Sequence, residues 1–253
     1  MDSTFVDIIL PNFNKEKYLD EAINSILSQT HKNWKLYIID DNSNDKSTNI
    51  LKKYEGYKNI YYKKLKKNKG PSFCRNLGMR ISSSNFIAFI DSDDVWKKNK
   101  LKDQLNFMIQ NNYLFTFTDY TPFYQDEDKK NFLRETNIAK TFDLKKFTSN
   151  SSINTTTMII SRSILKNLKF KKIKKLEDYL FKCQILQTGV KANNLKQNLA
   201  LYRILNKSRS SEKFKNVFYL WKINKKYLKF NIIKNLFSIL MISFNSIKKY
   251  GFK

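Results

Sequence analysis

Histidine is almost missing from this chain of 253 residues: there is one, His31. It falls in a polar connector, residues 30–33, where an exposed turn residue accounts for it, so imidazole catalysis is not expected. Cysteine is nearly as scarce. Cys74 and Cys183 lie far apart in segments of helical spacing, which excludes a metal knuckle and a disulfide framework. Acids are few, 22 Asp and Glu against 48 Lys and Arg, and the net charge of +26 calls for an anionic partner: nucleic acid, nucleotide or acidic membrane surface. From Tyr179 to Lys253 the one acid is Glu212. A basic stretch followed by a long apolar run, the mark of a secretory signal, is absent from MDSTFVDIIL. The longest uncharged run in the basic C-terminal stretch, residues 235–247, has thirteen residues, short of the roughly 20 that span a bilayer. These absences predict a cytoplasmic chain that does not cross a membrane.

What is present centres on residues 86–94, FIAFIDSDD. Five apolar residues have the length and composition of a strand buried on both faces. Alternation along that strand points Asp91 and Asp93 the same way and Ser92 elsewhere. Acids gathered at a strand end repel one another unless a cation sits among them, and oxygen ligands alone favour Mg²⁺ or Mn²⁺. Neutralisation by the nearby Lys97 and Lys98 at a solvated turn is the plainer alternative.

In chain order, an apolar run at 6–10 ends in Pro11-Asn12-Phe13-Asn14, and residues 17–28 have helical spacing. A strand at 34–39 ends in Asp40-Asp41, a helix follows at about 46–54, a strand at 59–65, and a helix at 72–81 opened by Gly70-Pro71. With the strand at 86–90 this is βαβαβαβ, the order of a parallel sheet with helices on its faces, whose ligands bind beyond the carboxyl ends of the strands. Further on, the spacing predicts a helix at 98–111 and strands at 113–118, 155–161 and 198–205. A helix at 176–187 carries Glu177 and Asp178 in its first turn, where acids suit the helix dipole. Residues 121–150 read as an insertion or acceptor-side loops.

With these residues in order, the chain resembles glycosyltransferase family 2 enzymes of the GT-A fold. The resemblance rests on VDIILPNFN, SILSQTHKNWKLYIIDDNSNDKS, NKGPSFCRNLGMRISSSNFIAFIDSDD, INTTTMIISR, LEDYLF and LYRILNKSRS. It spans Asp7 to about Ser211 and implies an α/β, Rossmann-like, mostly parallel sheet flanked by helices, with a nucleotide-sugar-binding half over 1–120 and an acceptor-binding half over 121–211; residues 212–253 beyond it read as a basic amphipathic helical tail. Pro11 and Phe13 would line the nucleobase pocket, Asp41 would accept a uracil N–H, and Asn68 and Arg75 would hold the donor nucleotide. Asp91, Ser92 and Asp93 form the DxD motif; Asp93 would ligate Mn²⁺ or Mg²⁺ and Asp91 would contact the ribose or the metal shell. Asp178 would be the catalytic base, with burial or the adjacent Glu177 raising its pKa, and Glu177 would support acceptor or donor. Arg203 would neutralise phosphate. Leu205 stands where many relatives carry a histidine, and Phe13 where many carry tyrosine. The Gln-x-x-Arg-Trp signature of processive members is absent, which implies one sugar per acceptor.

The implied reaction is an inverting transfer from a nucleotide-sugar, a UDP-hexose or UDP-N-acetylhexosamine, to a saccharide hydroxyl in surface-polysaccharide synthesis. The acceptor would be polyprenyl-diphosphate-linked, with direct transfer to polyprenyl phosphate as the alternative. Residues 213–253 hold ten lysines and no acid, interleaved with aromatics. They read as amphipathic helices that lie on an anionic membrane, on the inner face of the cell membrane, or that pack on the enzyme's own sheet. Basic residues with aromatics also suit a nucleic-acid-binding protein, but acids at the predicted crevice would repel phosphate, so no nucleic acid is expected.

Overall fold

The computed structural model describes residues 4–126, 129–205 and 213–250. Its first half follows the periodicity of the sequence. Apolar runs become β1 (Val6–Asn12), β2 (Trp34–Asp40), β3 (Ile60–Lys64) and β4 (Phe86–Phe89). Between them lie α1 (Leu19–Leu27), α2 (Ser47–Lys52) and α3 (Pro71–Ile81). The four strands pair in parallel in the order β3-β2-β1-β4, as right-handed crossovers through helices require. Gly78 lets α3 lie close on β1, because a Cβ there would come within 2.6 Å of the Ile9 Cγ2.

Beyond β4 the structure departs from expectation. Val95–Trp96 forms a short strand, β5, where none was expected, ahead of α4 (Lys100–Gln110). The strand expected at 113–118 continues as β6 (Phe115–Asp126), so much of the supposed insertion is strand, followed by β7 (Lys129–Phe132), β8 (Thr141–Phe142) and α5 (Leu144–Asn150). Thr155–Thr157 forms a 3-10 turn, and only Ile159–Ser161, β9, is strand. After α6 (Glu177–Gln187), β10 (Ala192–Arg203) starts six residues before the expected position.

These strands extend the same sheet, in the order β4-β9-β6-β10-β5, with β9 antiparallel to both neighbours and β6 parallel to β10. The β6–β10 register slips between Asn194 and Asn198 and again before Ala200, and such irregularities bend a ladder. On one side of the bend β6 pairs with β9; on the other, β10 pairs with β5 and β6 with β7. Residues 90–94 bridge the two parts.

The tail forms α7 (Lys213–Lys226) and α8 (Ile232–Tyr250), with α8 packed against α5 and α7. No described helix is long and apolar enough to cross a membrane.

Candidate active site

The carboxyl ends of β1, β2 and β4 come together at one edge of the sheet. Asp40, fully buried, accepts from Asn12 Nδ2 (2.7 Å) and from the amide and hydroxyl of Ser43, which ties the loop after β2 to β1. Asp41 follows it. Its amide donates to the Asn12 carbonyl, and its two carboxylate oxygens accept the amides of Lys69 and Gly70, each at 2.7 Å. Asn68 Nδ2 donates to the Asp41 carbonyl at 3.2 Å. Gly70 takes φ +85°, a conformation that favours glycine, as the chain turns into α3. Pro11 is half-buried beside Ile39, and Phe13 stands at the lip with 45% of its surface exposed.

Arg75, on α3, joins two acids from distant parts of the chain. Its guanidinium meets Asp91 at 2.6 Å and Glu177 at 3.5 Å, with the Phe170 ring 5.3 Å away. Burial works against its charge, but Asp91 and Glu177 outweigh burial and push its pKa above the usual arginine value. Its Nε and Nη1 are buried without a hydrogen bond.

The acid turn is held from behind. The Asp91 amide donates to Thr156 Oγ1 (3.0 Å), and the Asp94 amide closes a turn onto the Asp91 carbonyl (3.0 Å). Ser92 is buried inside it. Asp93 Oδ2 pairs with Lys15 Nζ at 2.7 Å. Burial raises the Asp93 pKa, with Asp91 adding to it and Lys15 opposing, and burial together with Asp93 and Asp91 pushes Asp94 further up. Arg203 locks this turn: its amide donates to Asp94 Oδ1 (2.9 Å) and its Nε to the Asp93 carbonyl (2.8 Å). The rest of its guanidinium pairs with Glu21 (2.6 Å) and Gln125, between the rings of Tyr18 and Phe123. Its side chain is 0% exposed, so in this conformation it supports the turn rather than facing a phosphate.

Asp178 opens α6 beside Glu177. Its Oδ2 takes Lys182 Nζ at 2.8 Å and Thr155 Oγ1 at 3.3 Å, and Lys182 also donates to the Ile153 carbonyl. The sequence predicted a raised pKa. Burial does act in that direction, but Lys182, one helical turn away, and then Arg75 overcome it and hold the carboxyl well below the usual range.

The expected residues therefore share one edge of the sheet, with Arg75 joining the acid turn to the start of α6. Lys15, Asp94, Thr155, Thr156 and Lys182 went unassigned in the sequence. Lys182 was readable as the i+4 partner of Asp178; the others depend on contacts between distant segments. Among the described residues no three His, Cys, Asp or Glu side chains are arranged to enclose a metal ion.

The profile of Glycosyl transferase family 2 matches residues 7–169, well over half of the chain. The chain belongs to glycosyl transferase family 2. This glycosyltransferase is 30% identical over 247 residues to the putative teichuronic acid biosynthesis glycosyltransferase TuaG of Bacillus subtilis, covering 96% of each chain. It is 30% identical over 254 residues to an Escherichia coli enzyme, UDP-Glc:alpha-D-GlcNAc-diphosphoundecaprenol beta-1,3-glucosyltransferase WfgD, covering 100% of this chain and 97% of that one. The crystal structure of S. aureus TarS 1-349 in complex with UDP-GlcNAc superposes with a TM-score of 0.72 at 20% identity, over 99% of this chain and 73% of that one. The glycosyltransferase has the GT-A fold.

Proposed function

We propose that this glycosyltransferase moves one sugar from a UDP-hexose or UDP-N-acetylhexosamine to a hydroxyl of a polyprenyl-diphosphate-linked saccharide, in a single displacement that inverts the anomeric centre. The observation that carries the reading is the Arg75 guanidinium, 2.6 Å from Asp91 and 3.5 Å from Glu177, because it joins the donor-side acids to the helix that bears the base. The lipid-linked acceptor is inferred from the likeness to WfgD, whose name specifies one. An acceptor of that kind is met at a membrane, which puts the working enzyme on the inner face of the cell membrane with residues 213–253 as the contact.

Pro11, Phe13, Asp41 and Asn68 flank the uracil. Asp41 already holds two amides, and each of its oxygens keeps a lone pair for a base N–H. The buried Nε of Arg75 has no hydrogen-bond partner and is a donor suited to the diphosphate. Asp91 and Asp93 offer a hard oxygen pair that fits Mg²⁺ or Mn²⁺, ions that take their remaining ligands from phosphate and water. When bound, such an ion supplies Lewis-acid stabilisation of the charge on the departing diphosphate. To hold such an ion, Asp93 would have to part from Lys15. Asp178 takes the proton of the attacking acceptor hydroxyl, for which it must come within about 3 Å. Glu177 keeps Arg75 oriented, and Arg203 keeps the acid turn in place.

Asp178→Asn tests the reading. UDP binding stays near wild type in calorimetry, while turnover falls about 10²- to 10⁴-fold. Transfer at close to the normal rate removes Asp178 from the mechanism.

A further inference from the structure

The last helix is apolar on its outward side as well as its inward one. In a helix that packs on a protein and faces water, apolar side chains turn inward and polar ones outward. In α8 the inward side chains include amides and a hydroxyl, alongside Ile239 and Ile242, which pack partly buried against the core. Asn235 is buried, with Nδ2 donating to the Trp221 carbonyl (3.1 Å). Buried Ser238 donates to the Thr148 carbonyl (2.6 Å), and Asn245 Nδ2 to the Ser149 carbonyl (3.2 Å). The outward side chains are Ile232, Ile233, Leu236, Phe237, Leu240 and Phe244, between 49% and 79% exposed. At the turn of an α-helix these six occupy an arc of about 140°, a continuous apolar face and not scattered residues. Water is a poor neighbour for it.

We propose that this face of α8 is a membrane-docking surface that enters the headgroup and upper acyl region of an anionic bilayer, with the helix lying in the plane of the membrane. Charge selects this occupant over a second copy of the chain. Residues 213–253 carry ten lysines and no acid, and Lys225, Lys226, Lys229 and Lys234 are exposed beside the start of α8. Pairing two such faces would bring two lysine sets together with nothing to neutralise them, whereas anionic lipid attracts both. The polar groups on the inward face give the device rigidity. Asn224 of α7 accepts the Tyr179 hydroxyl of α6 and donates to Asn235 and Ser238 of α8, each at 3.0 Å. Tyr179 is the neighbour of Asp178, so docking fixes the height of the proposed base above the lipid. The proposal deepens the reading of a lipid-linked acceptor and rests on it for its purpose.

Flotation of the full chain with vesicles of equal parts phosphatidylcholine and phosphatidylglycerol is the test. The wild-type protein rises with these vesicles and less with phosphatidylcholine alone. The triple variant Leu236→Ser, Phe237→Ser, Leu240→Ser alters exposed positions, keeps its fold by circular dichroism and its UDP release from the donor, and partitions about a hundredfold less onto the vesicles. A wild-type protein that stays at the bottom, or a triple variant that floats as well as wild type, overturns the proposal. So does a wild-type dimer in light scattering that the triple variant converts to monomer with no vesicle binding in either, since the face would then belong to a second copy. Flotation is read without substrate, so its result is independent of the proposed donor and acceptor.

Discussion

At Asp178 two influences compete, and the nearer charge wins. Burial alone would lift its pKa towards that of a buried acid, but Lys182 at 2.8 Å and Arg75 hold it down, so the carboxyl stays ionised throughout neutral pH. A folded-state pKa below the unfolded one stabilises the fold above about pH 4, and that contribution is lost as pH falls through the folded value. Lys182→Met removes the cation, so the carboxyl pKa rises. Wild type is expected to show no acid limb of kcat between pH 5 and 8 and the variant a limb moved up towards that window; an unchanged profile would show that Lys182 does not set the proposed base. The acids of the site were legible because strand ends and a helix start announced them. The depressed pKa was not, because burial was weighed without Lys182, although the i+4 spacing is local. The anchoring role of Arg203 was hidden for another reason, since Glu21 and Gln125 lie far from it in sequence.

Among the elements, α3 against β1 shows how tightly the first half of the sheet is packed. An alanine at Gly78 gains about 1 kcal/mol of helix propensity but drives its Cβ into Ile9, which is fully buried and cannot retreat, and overpacking of this kind costs about 1–3 kcal/mol. Gly78→Ala is therefore expected to lower Tm by a few degrees in a thermal melt. The strands and helices up to β4 were readable from period alone, to within about two residues, because each buries an apolar stripe. The region after residue 118 was not. β6 carries Asp119, which ends an apolar pattern, yet Asp119 Oδ1 accepts the Ile138 amide at 2.8 Å and Asn194 Nδ2 at 3.2 Å. A buried acid satisfied from 19 and 75 residues away looks like a loop to any local window. β5 is two residues long and exists only because β10 pairs with it.

Across the whole molecule, polar contacts fasten the tail to the catalytic sheet. Asn224, fully buried, serves Tyr179, Asn235 and Ser238 at once. Asn224→Ala leaves those partners short of bonds at a cost of about 1–3 kcal/mol. Amide exchange in α7 and α8 is expected to accelerate while β1 to β4 keep their protection; equal loss of protection everywhere would mean that tail and sheet unfold as one unit. Lysines interleaved with aromatics suit either membrane contact or packing on the domain, and α8 packs on the domain while leaving an apolar face outward.

Arg203 ends the last strand, while the turn it braces was laid down more than a hundred residues earlier. A nascent chain leaving the ribosome thus carries Asp91 and Asp93 together with their partners Arg75 and Lys15 long before Arg203 is there to brace the turn. The turn reaches its final set of contacts only once translation has passed residue 203. A product cut short of that point would hold every acid of the proposed cleft without the arginine that braces their turn.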